Sequence, residues 1–288
     1  MVLDIRHHLH RHRRILHVPG ARDRLHEGGA PVKRGLFKTG AIVLNSFDYG
    51  ESDRILTFYT HDFGKLRGIA KGARRSKKRF VGNLDPMSRL DIVFFHSDKS
   101  ELVRVEEAKL ADAYPGLKAG IDALSVGCYL LELTSEMTRE GQRLPQVYNL
   151  LAGFLKAIEE GADPGAYTRF FEIRLLSMLG YLPHLDACVV CRKTDVEPQK
   201  RFSSERGGVV CRACSTGAAG LIPVSSATAG MLAISAKLEF DKLERLKPNA
   251  AFMDEGERLL YDFIKFQIGK ELKTKRFLEK MRKAEARV

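Results

Sequence analysis

Four cysteines in a 27-residue window are the part of this chain best equipped for chemistry. Cys188-Val-Val-Cys191 is followed, nineteen residues later, by Cys211-Arg-Ala-Cys214. A two-residue gap lets both thiolates of a pair grip one side of an ion from a tight turn. Two such pairs at this separation match the spacing of a tetrahedral four-sulfur zinc site. Four thiolates close the coordination shell, so Cys188, Cys191, Cys211 and Cys214 predict a structural Zn2+ rather than a reacting one. Rival uses of the thiols fit less well. No strand–helix–strand pattern surrounds either pair, as a dithiol redox motif would need. No apolar leader points to an oxidising compartment where disulfides persist. A zinc deaminase needs His-x-Glu and Pro-Cys-x-x-Cys, but Val210 precedes Cys211 and no His-x-Glu lies upstream.

A second loaded stretch is Lys71-Gly-Ala-Arg-Arg-Ser-Lys-Lys-Arg79, where six of nine residues are basic. So dense a run repels itself unless something negative lies against it. Phosphates answer that need, with counterion release driving the contact. A solvated charged loop is the competing explanation. The 288-residue chain has a formal net charge of +12 and a pI near 9.5, a balance that favours a polyanionic partner. Phe47, Tyr49, Phe58, Tyr59, Phe63 and Phe80 are candidate stacking platforms beside the run, although their alternation assigns most of them to a core. No nucleophile elbow, P-loop, dinucleotide fingerprint or His-Glu-x-x-His occurs, which favours a binding protein over an enzyme. Asp48, Glu51 and Asp53 look superficially like a metal triad, but turn acids are common and one of them is expected to pair with Arg54. No apolar run is long enough to span a membrane.

The elements that must carry these stretches are legible in outline. Residues 36–112 read as five short strands: Thr39–Phe47, Arg54–Thr60, Lys65–Lys71, Leu90–Phe95 and Leu102–Val105, with a turn at Asp48-Tyr-Gly and a hairpin at His61-Asp-Phe-Gly. Five strands in so short a span predict an OB-fold barrel, with the basic run between its third and fourth strands. Residues 113–288 read as helical, over Leu117–Thr138, Gln146–Ile158, Tyr167–Leu179, Ser225–Lys237 and Asp254–Lys280. Cys128 falls on an apolar stripe and reads as a small core residue. Ser225 and Ser226 are candidate N-caps. Lys273, Lys275, Arg276, Lys280, Arg282 and Lys283 suit the C-terminal end of the last helix. The cysteine element, residues 185–217, interrupts the helices, with Arg206-Gly-Gly turning between two short strands. The fold class is therefore α+β: a five-stranded barrel, then a helical domain with an inserted four-cysteine zinc ribbon. Residues 1–35 carry eight Lys/Arg against three Asp/Glu and little large apolar surface. They are expected to form a disordered basic extension, or to reflect a start codon placed upstream of a true start at Val32. A basic arm or a histidine metal tract is the functional alternative.

Several stretches together resemble one family. Thr39-Gly-Ala-Ile-Val-Leu, Asp48-Tyr-Gly-Glu-Ser-Asp-Arg-Ile-Leu, Gly64-Lys-Leu-Arg-Gly-Ile-Ala-Lys-Gly-Ala-Arg and Leu179-Gly-Tyr-Leu-Pro closely resemble the bacterial RecO DNA repair family, over roughly residues 36–280. Some members lack the cysteines, whereas this chain keeps all four. The resemblance implies a non-catalytic protein of recombinational repair that binds single- and double-stranded DNA and anneals complementary strands. It implies action with RecR, and in some pathways RecF, to load RecA on DNA coated by single-strand binding protein. It also implies that the helical domain contacts the C-terminal tail of that coat protein, and that the protein works at the nucleoid in the cytoplasm. By motif, Lys71, Arg74 and Arg75 fall in the family's basic stretch, and Lys77, Lys78 and Arg79 extend it as expected DNA contacts. An OB-fold RNA-binding protein without mediator activity is the alternative.

Overall fold

The computed structural model describes residues 34–76, 78–80, 84–97, 99–194 and 199–277. Almost all of the expected N-terminal extension, together with Lys77, Lys280, Arg282 and Lys283, lies outside them.

Five strands close into a barrel in the order β1-β2-β3-β5-β4. These are β1 (Gly35–Tyr49), β2 (Asp53–Thr60), β3 (Gly64–Ala70), β4 (Arg89–His96) and β5 (Val103–Asp112). β1 is long enough to pair with β2 at one end and β4 at the other. The short β3–β5 parallel contact completes the ring. This is the OB-fold connectivity that five short strands predicted.

Ala41-Ile-Val-Leu44 is apolar without alternation because both faces of β1 are buried there. Ala41 and Val43 point into the barrel with Leu56, Phe58, Ile92 and Phe94. Ile42, Leu44 and Tyr59 point outward into a second, larger core shared with the helices. A strand covered on both sides reads as a continuous apolar run. A further tie crosses between barrel and helices. Lys65 Nζ on β3 donates to the carbonyls of Ser135 and Thr138, both at 2.5 Å, at the end of α2 (Ile121–Met137). The β2–β3 turn lies so close to this region that a Cβ at Gly64 would fall 1.9 Å from the Gln142 carbonyl.

The first helix, expected as one piece, is two. α1 (Pro115–Ala119) ends at Gly120, which is extended and opens α2. Glycine between two apolar-periodic segments breaks the helix without disturbing the stripe. α3 (Pro145–Glu159) and α4 (Pro164–Met178) follow, each with proline in its first turn. Cys128 is half-buried against the helical core. A small antiparallel sheet then orders β7-β6-β8, from β6 (Gln199–Ser203), β7 (Gly208–Val210) and β8 (Ile222–Ser225), with the one-turn α5 (Arg212–Ser215) between β7 and β8. Arg206-Gly-Gly does turn the chain from β6 to β7.

α6 (Ser226–Lys237) is capped by Ser225, whose Oγ accepts from Thr228 N at 3.1 Å. A 3-10 turn (Phe240–Arg245) leads to α7 (Ala250–Ile268). α7 starts four residues earlier than expected, because Asn249 accepts from Phe252 N at 2.9 Å and caps it. It also ends earlier, at Gly269 with φ 77°. That left-handed glycine is a strong helix stop inside what periodicity alone read as one helix to Lys280. The chain beyond Gly269 re-enters helix at Lys273, and the Glu132 carboxylate of α2 accepts from the amides of Lys273 and Thr274, both at 2.8 Å. Lys275 is consequently not a C-terminal surface cation. It is buried, pairs with Glu257 and lies 5.3 Å from the Tyr261 ring centre.

Candidate metal centre and nucleic-acid interface

The four cysteines converge. Cys188 and Cys191 sit on the turn before β6, Cys211 follows β7 at the N-cap of α5, and Cys214 lies in α5. Their Sγ atoms all lie within 4.8 Å of one another. Cys191 Sγ and Cys211 Sγ, from different pairs, are 3.7 Å apart. A tetrahedron of Zn–S bonds of about 2.3 Å has edges of about 3.8 Å, whereas a disulfide would bring two sulfurs to about 2.05 Å. The site therefore has the dimensions of a metal-ligand set.

Backbone pairing fixes this geometry. Cys188 N donates to Lys193 O at 3.0 Å and Arg192 N to Cys188 O at 2.9 Å, closing the first turn with Arg192 at φ 63°. Val189 N donates to Val209 O at 2.9 Å, which hangs that turn on β7. Electrostatics agree with the spacing. Burial pushes the Cys188 thiol up, but the amides of Cys191, Cys211 and Val190 and the Cys191 thiol outweigh it and bring it to about 6. Cys214 is pushed up to about 12, chiefly by its hydrogen bond with Cys211 and also by burial. Four thiolates this close repel one another unless a cation sits among them. The residues fit a tetrahedral metal ion, and bound there it would crosslink the two turns.

The basic stretch takes a different form. It leaves β3 at Lys71 and folds back onto the β1–β2 turn. Asp53 Oδ1 accepts from Gly72 N at 2.8 Å, and Ser52 O accepts from Arg74 N at 3.0 Å. The Gly72 amide, ahead of burial and other effects, holds the Asp53 carboxyl below its usual range. Arg54 pairs with Asp48 at 3.4 Å, as the turn acids predicted, and with Asp85 at 3.1 Å. Two of the expected DNA contacts are themselves ion-paired, Arg74 with Asp48 and Arg75 with Glu51, each at 3.5 Å. Arg79 donates to the Lys71 carbonyl at 2.9 Å and lies over the Phe80 ring at 5.1 Å. Asp48, Glu51 and Asp53 are thus the loop's mooring and not a metal triad.

Lys71, Arg74, Arg75, Lys78 and Arg79 are all exposed, so the loop presents its charge outward. Beside it a groove of about 730 Å³ runs over β1, β4 and β5, its charged lining made of Lys38, Lys78, Arg79 and Lys109 with Asp91 and Glu107. Lys38 and Lys109 escaped sequence reasoning. Each is a single lysine on its own strand, and only the barrel closure brings them beside the loop.

The candidate aromatics also separate. Phe58, Tyr59 and Phe80 are buried, and Phe63 packs against Phe37 and Phe94 at 5.3 Å each. Phe47 and Tyr49 are 48% and 54% exposed. Among the described residues, no helix is long and apolar enough to cross a membrane.

Comparison with known proteins places this geometry in context. Residues 34–114 match the family model "Recombination protein O N terminal", and residues 119–276 match "Recombination protein O C terminal". The chain belongs to the RecO family. The DNA repair protein RecO of Syntrophus aciditrophicus (strain SB) is 35% identical over 254 residues, covering 87% of this chain and 98% of the relative. That of Thermoanaerobacter sp. (strain X514) is 33% identical over 247 residues, covering 85% and 98%. That of Geobacter sulfurreducens is 34% identical over 192 residues, covering 67% and 77%. The two RecO models meet between β5 and α2, at the joint of barrel and helices. Tyr49–Arg54 and Lys71–Arg74, two of the stretches whose residues resemble RecO, hydrogen-bond to each other here.

Proposed function

We propose that this RecO-family chain is a non-catalytic DNA-binding protein that anneals complementary strands and helps load RecA on DNA coated with single-strand binding protein. The observation that carries this is the exposed cationic set Lys71, Arg74, Arg75, Lys78 and Arg79, anchored through Gly72 and Arg74 to the β1–β2 turn on an OB barrel. Annealing brings two polyanions together. A fixed cluster of cations lowers their repulsion and releases counterions from both strands. No bond is made or broken, so no nucleophile or general acid is needed. Lys71, Arg74, Arg75, Lys77, Lys78 and Arg79 are the proposed phosphate contacts, with Lys38 and Lys109 extending the path along the groove. The metal at Cys188, Cys191, Cys211 and Cys214 is proposed to be Zn2+, serving the fold.

The partners belong to the same proposal, which family membership supports only as a DNA repair role. They are single- and double-stranded DNA, RecR, the C-terminal tail of single-strand binding protein and, less directly, RecF and RecA, at the nucleoid in the cytoplasm. The test is annealing of complementary strands precoated with the cognate single-strand binding protein. Acceleration over the uncatalysed rate is expected. Annealing of bare strands only would remove the mediator role, and activity on neither, with preferential RNA binding, would replace the proposal with an RNA-binding one.

A further inference from the structure

The outer face of β1, β2 and β3 continues beyond where the helices cover it, and Phe47 and Tyr49 are exposed there. We propose that Phe47 and Tyr49 form a base-stacking platform for single-stranded DNA, flanked by Arg67 and Lys71. This rests on the chain being a DNA-binding protein and adds a strand-type preference to that role.

The strand register builds the platform. Asn45 lies opposite Thr57, which lies opposite Arg67. Phe47 lies opposite Ile55, which lies opposite Ile69. Tyr49 lies opposite Asp53. These rows share one face with Tyr59, because side chains alternate along β2. At Tyr59 that face is covered by the helical core. Past the irregularity at Val43/Asn45 in β1 the sheet outruns the helices, and the two aromatics stand open to solvent. They are two residues apart, or about 7 Å along the strand, on a floor that includes Ile55, 8% exposed.

The charges sort themselves favourably. Asp48 and Arg54 point to the other face, towards the barrel mouth, where Arg74 joins them. Asp53 turns its carboxylate onto the Gly72 amide, and Glu51 pairs with Arg75. The nearby acids are therefore engaged, while Arg67 and Lys71 are exposed at the edge of the aromatic patch. Exposed rings beside cations suit a polyanion with accessible π faces. A single strand has them; in a duplex the base faces are stacked on each other, and only base edges, sugars and phosphates reach the surface.

The chain has no tryptophan, which supplies the experiment. Tyr49→Trp would introduce a sole indole into the full chain. Its emission is expected to fall saturably with oligo(dT), and to change little with a duplex of equal length that binds equally well by anisotropy of labelled DNA. In parallel, Phe47→Ala and Tyr49→Ala are expected to weaken oligo(dT) binding roughly tenfold each, with duplex affinity and salt slope unchanged. Unchanged indole emission while anisotropy reports bound oligo(dT) would overturn the platform and leave DNA binding standing. Binding of neither DNA would overturn both.

Discussion

Replacing Lys71, Arg74 and Arg75 together with alanine separates a DNA-binding loop from a merely solvated one. Each cation that neutralises a phosphate contributes about 0.7 to the salt slope on a single strand and about 0.9 on duplex. Loss of three contacts would flatten the slope by about 2 on single strands and about 3 on duplex. Between 50 and 200 mM salt, the variant would then lose about 20-fold less single-strand affinity than the parent. The structure refines this. Arg74 must leave Asp48 to reach a phosphate, whereas Lys71 is exposed and Arg75, though paired with Glu51, is 73% exposed. Arg74→Ala alone is therefore expected to move the slope less than Lys71→Ala or Arg75→Ala. The fold should survive, because surface pairs of this kind are worth at most about 1 kcal/mol each. The Asp53–Gly72 and Ser52–Arg74 main-chain anchors also remain. Anisotropy titrations across a salt series read the slope, and thermal melting reads the fold. An unchanged slope in a normally folded triple variant would refute the assignment.

Other expectations are independent of the loop. Chelation, or Cys188→Ser, should release about one zinc per chain to a chromophoric chelator and lower the melting temperature, since ligand-set binding energy is folding energy; metal-free protein with native melting would contradict this. The buried pair Arg169–Glu172, at 2.9 Å with both side chains under 10% exposed, should obey the asymmetry of interior charges. Arg169→Met alone is expected to cost about 3–5 kcal/mol, and Arg169→Met with Glu172→Leu to recover part of it, since the buried Tyr129 hydroxyl then loses its Glu172 acceptor; urea unfolding of the four-protein cycle checks this, and additive costs would refute it. Asp53 has a depressed carboxyl pKa in the folded chain. Its mooring of the loop should be complete above the ordinary aspartate value of about 3.9 and be lost as pH falls through the depressed range. Hydrogen exchange at the Gly72 amide follows it, and Asp53→Ala should abolish the protection at every pH.

How far the sequence reaches differs by element. The metal set was legible because ligand chemistry is written in residue type and local spacing. The barrel was legible because five short strands have few ways to close. The first and last helices break at Gly120 and Gly269, where the sequence pattern predicts continuous helix. Apolar periodicity runs through both glycines, and only the backbone conformation at each one stops a helix. The C-terminal lysines looked alike in sequence, but a cap supplied by Glu132 from 141 residues away starts a new turn and buries Lys275.

By itself the sequence determined the thiolate cluster, the positive charge and the order of strands before helices, because each depends on composition or on neighbours along the chain. Tertiary structure decided which charges and rings are offered to a partner. It paired Arg74 and Arg75 with the β1–β2 turn, brought Lys38 and Lys109 beside the loop, and buried Phe58, Tyr59 and Phe80 while leaving Phe47 and Tyr49 in solvent. Exposure and pairing depend on which surfaces meet when the sheet closes and the helices cover part of it. Those meetings join residues far apart in the chain, where local pattern carries no signal.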